Sequence, residues 1–223
     1  VGTGVVEEGK AFTTIGTSGV VFAHSDKVTI DPQGRVHTFC SAVPGCWTVM
    51  SCTLAAGLSL KWFRDNFFLE EMQTAKGMGV DPYYLMDRQA ERAPIGANRL
   101  VYLPYLMGER SPKLDSDCRG VFFGMYDMLR AVMEGVIYSQ RECLDILRGM
   151  GVVSSEMLAC GGGGSSPMWR QMMADVYNLP VKTVVSKEGP ALGVAILAGV
   201  GAGIYPSVAE ACRKVVKTNP AQA

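Results

Sequence analysis

The sequence predicts an α/β layer structure, and three observations carry that reading. The chain opens with β-prone runs broken by turn residues, and its second half alternates strands with helices. Of its 223 residues, 48% are hydrophobic and 19% charged, enough apolar material to bury one large core. That balance excludes a disordered or collagen-like chain.

Residues 11–15 and 19–24 are rich in Thr, Val, Ile and Phe and meet at Gly16-Thr17-Ser18-Gly19, which predicts a hairpin with an unusual tip. Residues 28–30 and 36–39 flank Asp31-Pro32-Gln33-Gly34, an ordinary turn signal, and predict a second hairpin. From Ser51 the period changes. Leu54, Leu58, Trp62 and Phe63 recur at helical spacing. A polar helix is expected over 69–77, and another after Asp81-Pro82, whose aspartate can cap and whose proline suits a first turn. Residues 100–106 read as a buried strand. The stretch 108–119 is too charged to bury, and 120–125 reads as a further strand.

The clearest helix spans 127–149. Leu129, Val132, Met133, Val136, Ile137, Leu144 and Leu147 form one stripe, and Gly149 and Gly151 supply stop signals. A strand at 157–160, the run Gly161-Gly162-Gly163-Gly164, and a helix from Pro167 to Asn178-Leu179-Pro180 follow. A short strand at 181–185, a small-residue helix at 191–200 and an amphipathic helix at 208–216 complete one domain over residues 1–217, with a loose tail over 218–223.

Lys plus Arg (21) equals Asp plus Glu (21), so no whole-chain field exists to attract a nucleic-acid backbone or an anionic membrane surface. The longest apolar stretch, 191–204, is broken by Gly193, Gly199, Gly201 and Gly203 and falls short of the roughly 20 residues a bilayer span requires. Small-molecule or protein partners are expected instead. Seven cysteines lie singly, with no C-x-x-C and only two histidines beside them, which argues against a zinc site and suits small hydrophobes in a reducing cytoplasm. His24 and His37 lie in β-prone segments and read as structural, and the thirteen methionines read as core filler. The opening Val1-Gly2-Thr3-Gly4 has no methionine and no signal-peptide character, so the chain is expected to be a fragment.

Three glycine-containing corners stand where an α/β sheet places ligands. At Gly16-Thr17-Ser18-Gly19 the backbone can approach an anion closely and offer a nest of N–H groups, although a plain β-turn fits the same residues. At Gly161-Gly162-Gly163-Gly164-Ser165-Ser166-Pro167 four glycines precede a helix. Each costs roughly 0.5–1 kcal/mol relative to alanine, so something is expected to come close to that backbone. The segment is neither a Walker loop, since no lysine follows, nor a dinucleotide fingerprint. At Glu188-Gly189-Pro190-Ala191-Leu192-Gly193 packing alone is a sufficient explanation, and Gly108-Glu109-Arg110-Ser111-Pro112 reads equally as an active-site loop or a solvated turn.

In this order, residues 14–18, Ala56-Gly57-Leu58-Ser59-Leu60-Lys61-Trp62, residues 103–112, Arg119-Gly120-Val121-Phe122-Phe123-Gly124, Gly161-Gly162-Gly163 and Gly189-Pro190-Ala191-Leu192-Gly193 resemble the C-terminal half of the FGGY carbohydrate kinases. The resemblance covers residues 1–211. It implies an actin-like, ribonuclease-H-like ATPase domain with a mixed sheet flanked by helices. It also implies ATP with Mg2+ as cofactors, and transfer of the γ-phosphate to a hydroxyl of a ketose such as D-xylulose. Glycerol, gluconate or ribulose are alternative acceptors, and a non-catalytic actin-like scaffold is the alternative from another class. By motif, Gly16, Thr17 and Ser18 would hold the terminal phosphates, Gly57 and Lys61 would line the nucleotide site, and Gly162, Gly163 and Ser166 would flank the adenosine. The resemblance places the catalytic aspartate upstream of Val1 and the sugar in a separate N-terminal lobe. A lobe without that partner can expose an apolar patch and self-associate, a homodimer included. Family members carry a longer connection after Met125, where about half a dozen positions are absent here.

Overall fold

A computed structural model describes residues 1–124, 127–186 and 189–222. The opening hairpin forms as expected: β1 (Gly9–Ile15) and β2 (Gly19–Ser25) pair antiparallel, with Ile15 opposite Gly19. Alternation sends Ala11, Thr13 and Ile15 into the core. Phe12 and Phe22, directly opposite each other, stack at 4.7 Å on the other face.

The second hairpin differs from expectation. Residues 28–30 form no strand. Instead β3 (His37–Cys40) pairs with β4 (Trp47–Thr53), which in turn pairs with all of β2. The turn signal at 31–34 is real but closes locally. The Asp31 carboxylate accepts the Arg35 N–H at 2.8 Å and its guanidinium at 3.0 and 2.9 Å, so that segment needs no strand partner. Residues 51–53, read from sequence as the start of a helix, are instead the buried end of β4.

The Arg35 guanidinium, followed by backbone N–H groups, holds buried Asp31 down to about 2, below its unfolded value of roughly 3.9. The folded value is the lower one, so this stabilisation is present above about pH 4 and is lost as pH falls toward 2. Asp31→Asn is therefore expected to flatten the acid limb of the stability curve in that window, as read by urea unfolding across pH.

Helices α1 (Gly57–Phe67), α2 (Leu69–Met78) and α3 (Pro82–Ala90) follow, the last capped by Asp81 Oδ1 accepting the Tyr83 N–H at 2.9 Å. A two-stranded ribbon joins β5 (Val101–Leu103) to β6 (Val121–Phe123). The strand expected to run on to Met125, and the connection beyond it, fall partly on residues 125–126, outside the described residues.

The predicted stripe of α4 (Met128–Gly149) is the centre of the core: Val132, Met133, Val136, Ile137, Leu144 and Leu147 are fully buried. After it, β7 (Ser154–Cys160) lies parallel to β1, and β8 (Val181–Lys182) lies parallel to β7. The resulting order, β3-β4-β2-β1-β7-β8, is a mixed sheet of antiparallel strands continued by parallel ones.

The four glycines are not an open bend. Gly161–Ser165 coils into one turn, α5, immediately before α6 (Pro167–Tyr177). Helices α7 (Gly189–Gly201) and α8 (Val208–Val215) form a second apolar cluster with Val6, around Ile196, Val208, Ala211 and Cys212. Glu188 of the third glycine corner is outside the described residues. The C-terminal segment, expected to be loose, is strapped along β8. Val181 and Gln222 exchange backbone hydrogen bonds at 2.9 and 2.8 Å, and the Asn219 N–H reaches the Thr183 carbonyl at 2.8 Å. A two-residue edge strand offers unpaired backbone groups, and this segment satisfies them.

Candidate nucleotide site

Parallel pairing of β1 with β7 brings their C-terminal ends together, and Ile15 bridges to Gly161. The hairpin tip and the glycine turn are thereby neighbours in space, although far apart in sequence. They flank a cleft of about 660 Å³ whose other walls are α1 and α3. Of the expected site residues, Gly16, Thr17, Gly57, Lys61, Gly162, Gly163 and Ser166 line it. Ser18 sits at the tip without lining the cleft, and its carbonyl accepts the Gly16 N–H at 3.0 Å.

The α1 N-terminus is spent on the hairpin rather than on a ligand. The Gly57 N–H donates to the Gly16 carbonyl at 2.8 Å, and the Ala56 and Leu58 N–H groups donate to the Thr17 carbonyl at 3.0 and 3.1 Å. These bonds hold the tip rigidly. They also explain Gly57, where a Cβ would lie 2.3 Å from the Gly16 oxygen.

The glycines divide by what their missing side chains would meet. Gly161 has φ +73° and abuts Thr14, a Cβ on Gly163 would fall 2.7 Å from Ile15 Cβ, and one on Gly164 would fall 2.8 Å from the Ala159 backbone. These three are therefore required by the protein itself. The expectation that a ligand alone explains the run is corrected: at these three positions β1 and β7 are what come close, and Gly163 borders the cleft as well. Gly162 and Gly16 are different. A Cβ at either meets only one carbonyl oxygen, at 3.9 or 4.0 Å, so both have room and both border the cleft.

The C-terminal-domain model of the FGGY family of carbohydrate kinases matches residues 11–202. The chain belongs to this family. It is 36% identical to the xylulose kinase of Bacillus subtilis over 97% of its own length and 43% of that relative. It is 38% identical to the gluconokinase of Bacillus licheniformis over 88% of its length and 39% of that relative. Its fold superposes on the crystal structure of ligand-bound xylulose kinase from Lactobacillus acidophilus with a TM-score of 0.86 and 25% identity, covering 99% of this chain and 44% of that one. The FGGY chain thus spans less than half the length of the relatives it matches. Its fold is the actin-like, ribonuclease-H-like one of these kinases, and none of its described helices is long and apolar enough to cross a membrane.

Sequence reasoning missed the α3 wall of this FGGY cleft. Asp81, Tyr83, Tyr84 and Asp87 line it, as does the buried Trp169 from α6. Adjacent tyrosines behind the Asp81-Pro82 cap were the available signal, but nothing in their spacing ties them to the glycine corner. Ser166 caps α6 by accepting the Trp169 N–H at 3.4 Å, and donates its hydroxyl to Asp87 Oδ2 at 2.7 Å. Burial raises the Asp87 carboxyl, opposed by the Ser166 hydrogen bond and reinforced by the charges of Glu91 and Asp81. Lys61, at the mouth, pairs with Asp65 at 2.5 Å, and the Lys61 and Arg64 hydrogen bonds hold Asp65 below the usual carboxylate range. Both wall carboxylates are engaged by hydrogen bonds, and the cleft presents aromatic rings and bare backbone together.

Proposed function

We propose that this chain is the nucleotide-binding half of an ATP-dependent sugar kinase whose acceptor is a hydroxyl of D-xylulose or a similar ketose. The observation that carries the reading is the pair Gly16 and Gly162, bare for no reason internal to the fold and bordering one cleft. In this reading Gly16, Thr17 and Ser18 face the terminal phosphates, and Lys61 adds a point charge by leaving Asp65. The nucleoside lies past Gly162, Gly163 and Ser166 against Tyr83 and Tyr84. Asp81 and Asp87 already hold donors, so Mg2+ would arrive on the triphosphate and keep water as its remaining ligands. Phosphoryl transfer asks a protein mainly for positioning and charge stabilisation, and a rigid tip supplies both.

The sugar pocket and the group that accepts the hydroxyl proton are assigned to the part of the relatives' length that this chain does not span. Calorimetry with the 223-residue chain is expected to show weak ATP binding, and a coupled assay no phosphorylation of D-xylulose. Sugar phosphorylation by this chain alone would overturn the assignment. The gluconokinase likeness supports gluconate as a second acceptor. A substrate panel on a protein carrying both halves decides, with kcat/KM expected to favour D-xylulose. The free thiols fit a reducing compartment, so a cytoplasmic location belongs to the same reading.

A further inference from the structure

At the opposite end of β2 from the hairpin tip, three side chains of different chemistry converge. His24 and Asp26 close β2 and the turn after it, and Cys46 precedes β4, whose first residue, Trp47, pairs with Ser25. The ligand atoms of all three lie within 4.8 Å of one another, the one such grouping among the described residues. His24 Nε2 lies 2.9 Å from Asp26 Oδ1, and Cys46 Sγ lies 3.7 Å from the same oxygen. One carboxylate oxygen therefore faces two groups that share protons with it, and a single divalent cation can replace both of those interactions.

We propose that His24, Asp26 and Cys46 form a zinc site, with water as the fourth ligand. The donor set is one imidazole, one carboxylate and one thiol, the mixed set that a borderline-soft, tetrahedral ion takes. Bonds of about 2.0–2.3 Å place tetrahedral ligand atoms about 3.3–3.7 Å apart. The Cys46–Asp26 separation already lies in that range and the His24–Asp26 one falls slightly short of it, so closing the site requires that His24 and Asp26 part a little while all three atoms stay within their present 4.8 Å. His24 is 3% exposed, and its Nδ1 has no hydrogen-bond partner, so the contact with the Asp26 carboxylate alone sets its tautomer, with the proton on Nε2. On binding, the Nε2 lone pair and the thiolate sulfur bond to the ion. The imidazole proton moves to Nδ1, and the thiol proton leaves to solvent.

The site lies about 17 Å along β2 from Gly19, taking roughly 3.4 Å per residue, so it is separate from the nucleotide cleft. It joins β2 to β4 across the excursion that holds edge strand β3 and the exposed Val28, Ile30 and Phe39. Its effect is that of a clasp on that excursion. Sequence spacing gave no hint of it, because the ligands come from the end of β2, the turn after it and the residue before β4, and contain no C-x-x-C.

The probes are Zn2+ and Co2+ added to the purified chain, with circular dichroism as the fold control. Wild type and Cys40→Ser are expected to bind one equivalent of Co2+ with a thiolate-to-cobalt charge-transfer band, and to gain melting temperature with Zn2+. Cys46→Ser is expected to lose the band. Asp26→Asn, at an exposed position that leaves the fold intact, is expected to bind Zn2+ about 10- to 100-fold more weakly. A band that persists in Cys46→Ser, equal Zn2+ affinity in Asp26→Asn and wild type, or no Co2+ binding by wild type would each overturn the site.

Discussion

Gly162→Val is expected to abolish ATP binding while leaving the fold and its melting temperature unchanged. A Cβ there meets nothing closer than 3.9 Å, the backbone is α-helical, and valine is a slightly better helix residue than glycine. Gly162 borders the cleft, so the added volume is expected to enter it. Crowding an occupied space costs about 1–3 kcal/mol or more, which is about a tenfold to hundredfold loss of affinity at the least. Gly163→Ala is the matched control and should behave oppositely. Its methyl would fall 2.7 Å from Ile15 Cβ, so about 1–3 kcal/mol is lost from stability first, and ATP affinity falls only as the turn shifts. Calorimetry and thermal melts on the pair separate the two roles. Unchanged affinity in a folded Gly162→Val protein would remove the central support for a nucleotide in this cleft.

Glu109→Ala is expected to cost about 3 kcal/mol or more, a large share of the 5–15 kcal/mol typical of a domain. The loop over 108–119 had looked too charged to bury, yet Glu109 is 3% exposed and Ser111 1%. The Glu109 carboxylate accepts the Thr53 hydroxyl at 2.5 Å and the N–H groups of Leu54 and Arg110 at 2.9 and 2.8 Å, while Ser139 of α4 donates to Thr53 at 3.2 Å. One side chain thus ties the loop to the end of β4 and to α4, just before α1 begins. Truncation leaves three donors to find water or stay unpaired, at about 1–3 kcal/mol for each that stays buried. Glu109→Gln keeps the shape and two acceptor bonds, so its loss should be about 1 kcal/mol. Burial raises the Glu109 carboxyl. The folded protein therefore holds that proton more tightly than the unfolded chain, and stability falls as pH rises from the ordinary carboxylate value to the raised one. The Gln variant should lack that slope in urea melts taken across pH.

Much of the fold was legible because its signals are local. The β1–β2 hairpin followed from β-prone runs around a glycine tip, and α4 from a stripe of seven apolar positions. The start of α6 followed from Pro167, which does open the helix, and the structure adds Ser166 as its cap. Three readings failed for the complementary reason. The 31–34 turn suggested its own hairpin, but strand pairing is chosen by whichever edge is available, and β4 offered seven residues against β2. The tail looked loose because nothing within 218–222 announces that β8 has an unpaired edge. The α3 wall was missed because a tyrosine pair on a helix is the same pattern whether it faces a core, a solvent or a cleft.

The sequence by itself determined which segments become strands and helices and where the backbone is left bare, because hydrophobic period, capping and glycine content act over a few residues. Only the tertiary structure decided what each bare position is for. Parallel pairing of β1 with β7 set the hairpin tip beside the glycine turn, filled the space at Gly161 and Gly163 with atoms of Thr14 and Ile15, and left it open at Gly16 and Gly162. That distinction is one of distance between chain segments remote in sequence, and local residue patterns do not encode it.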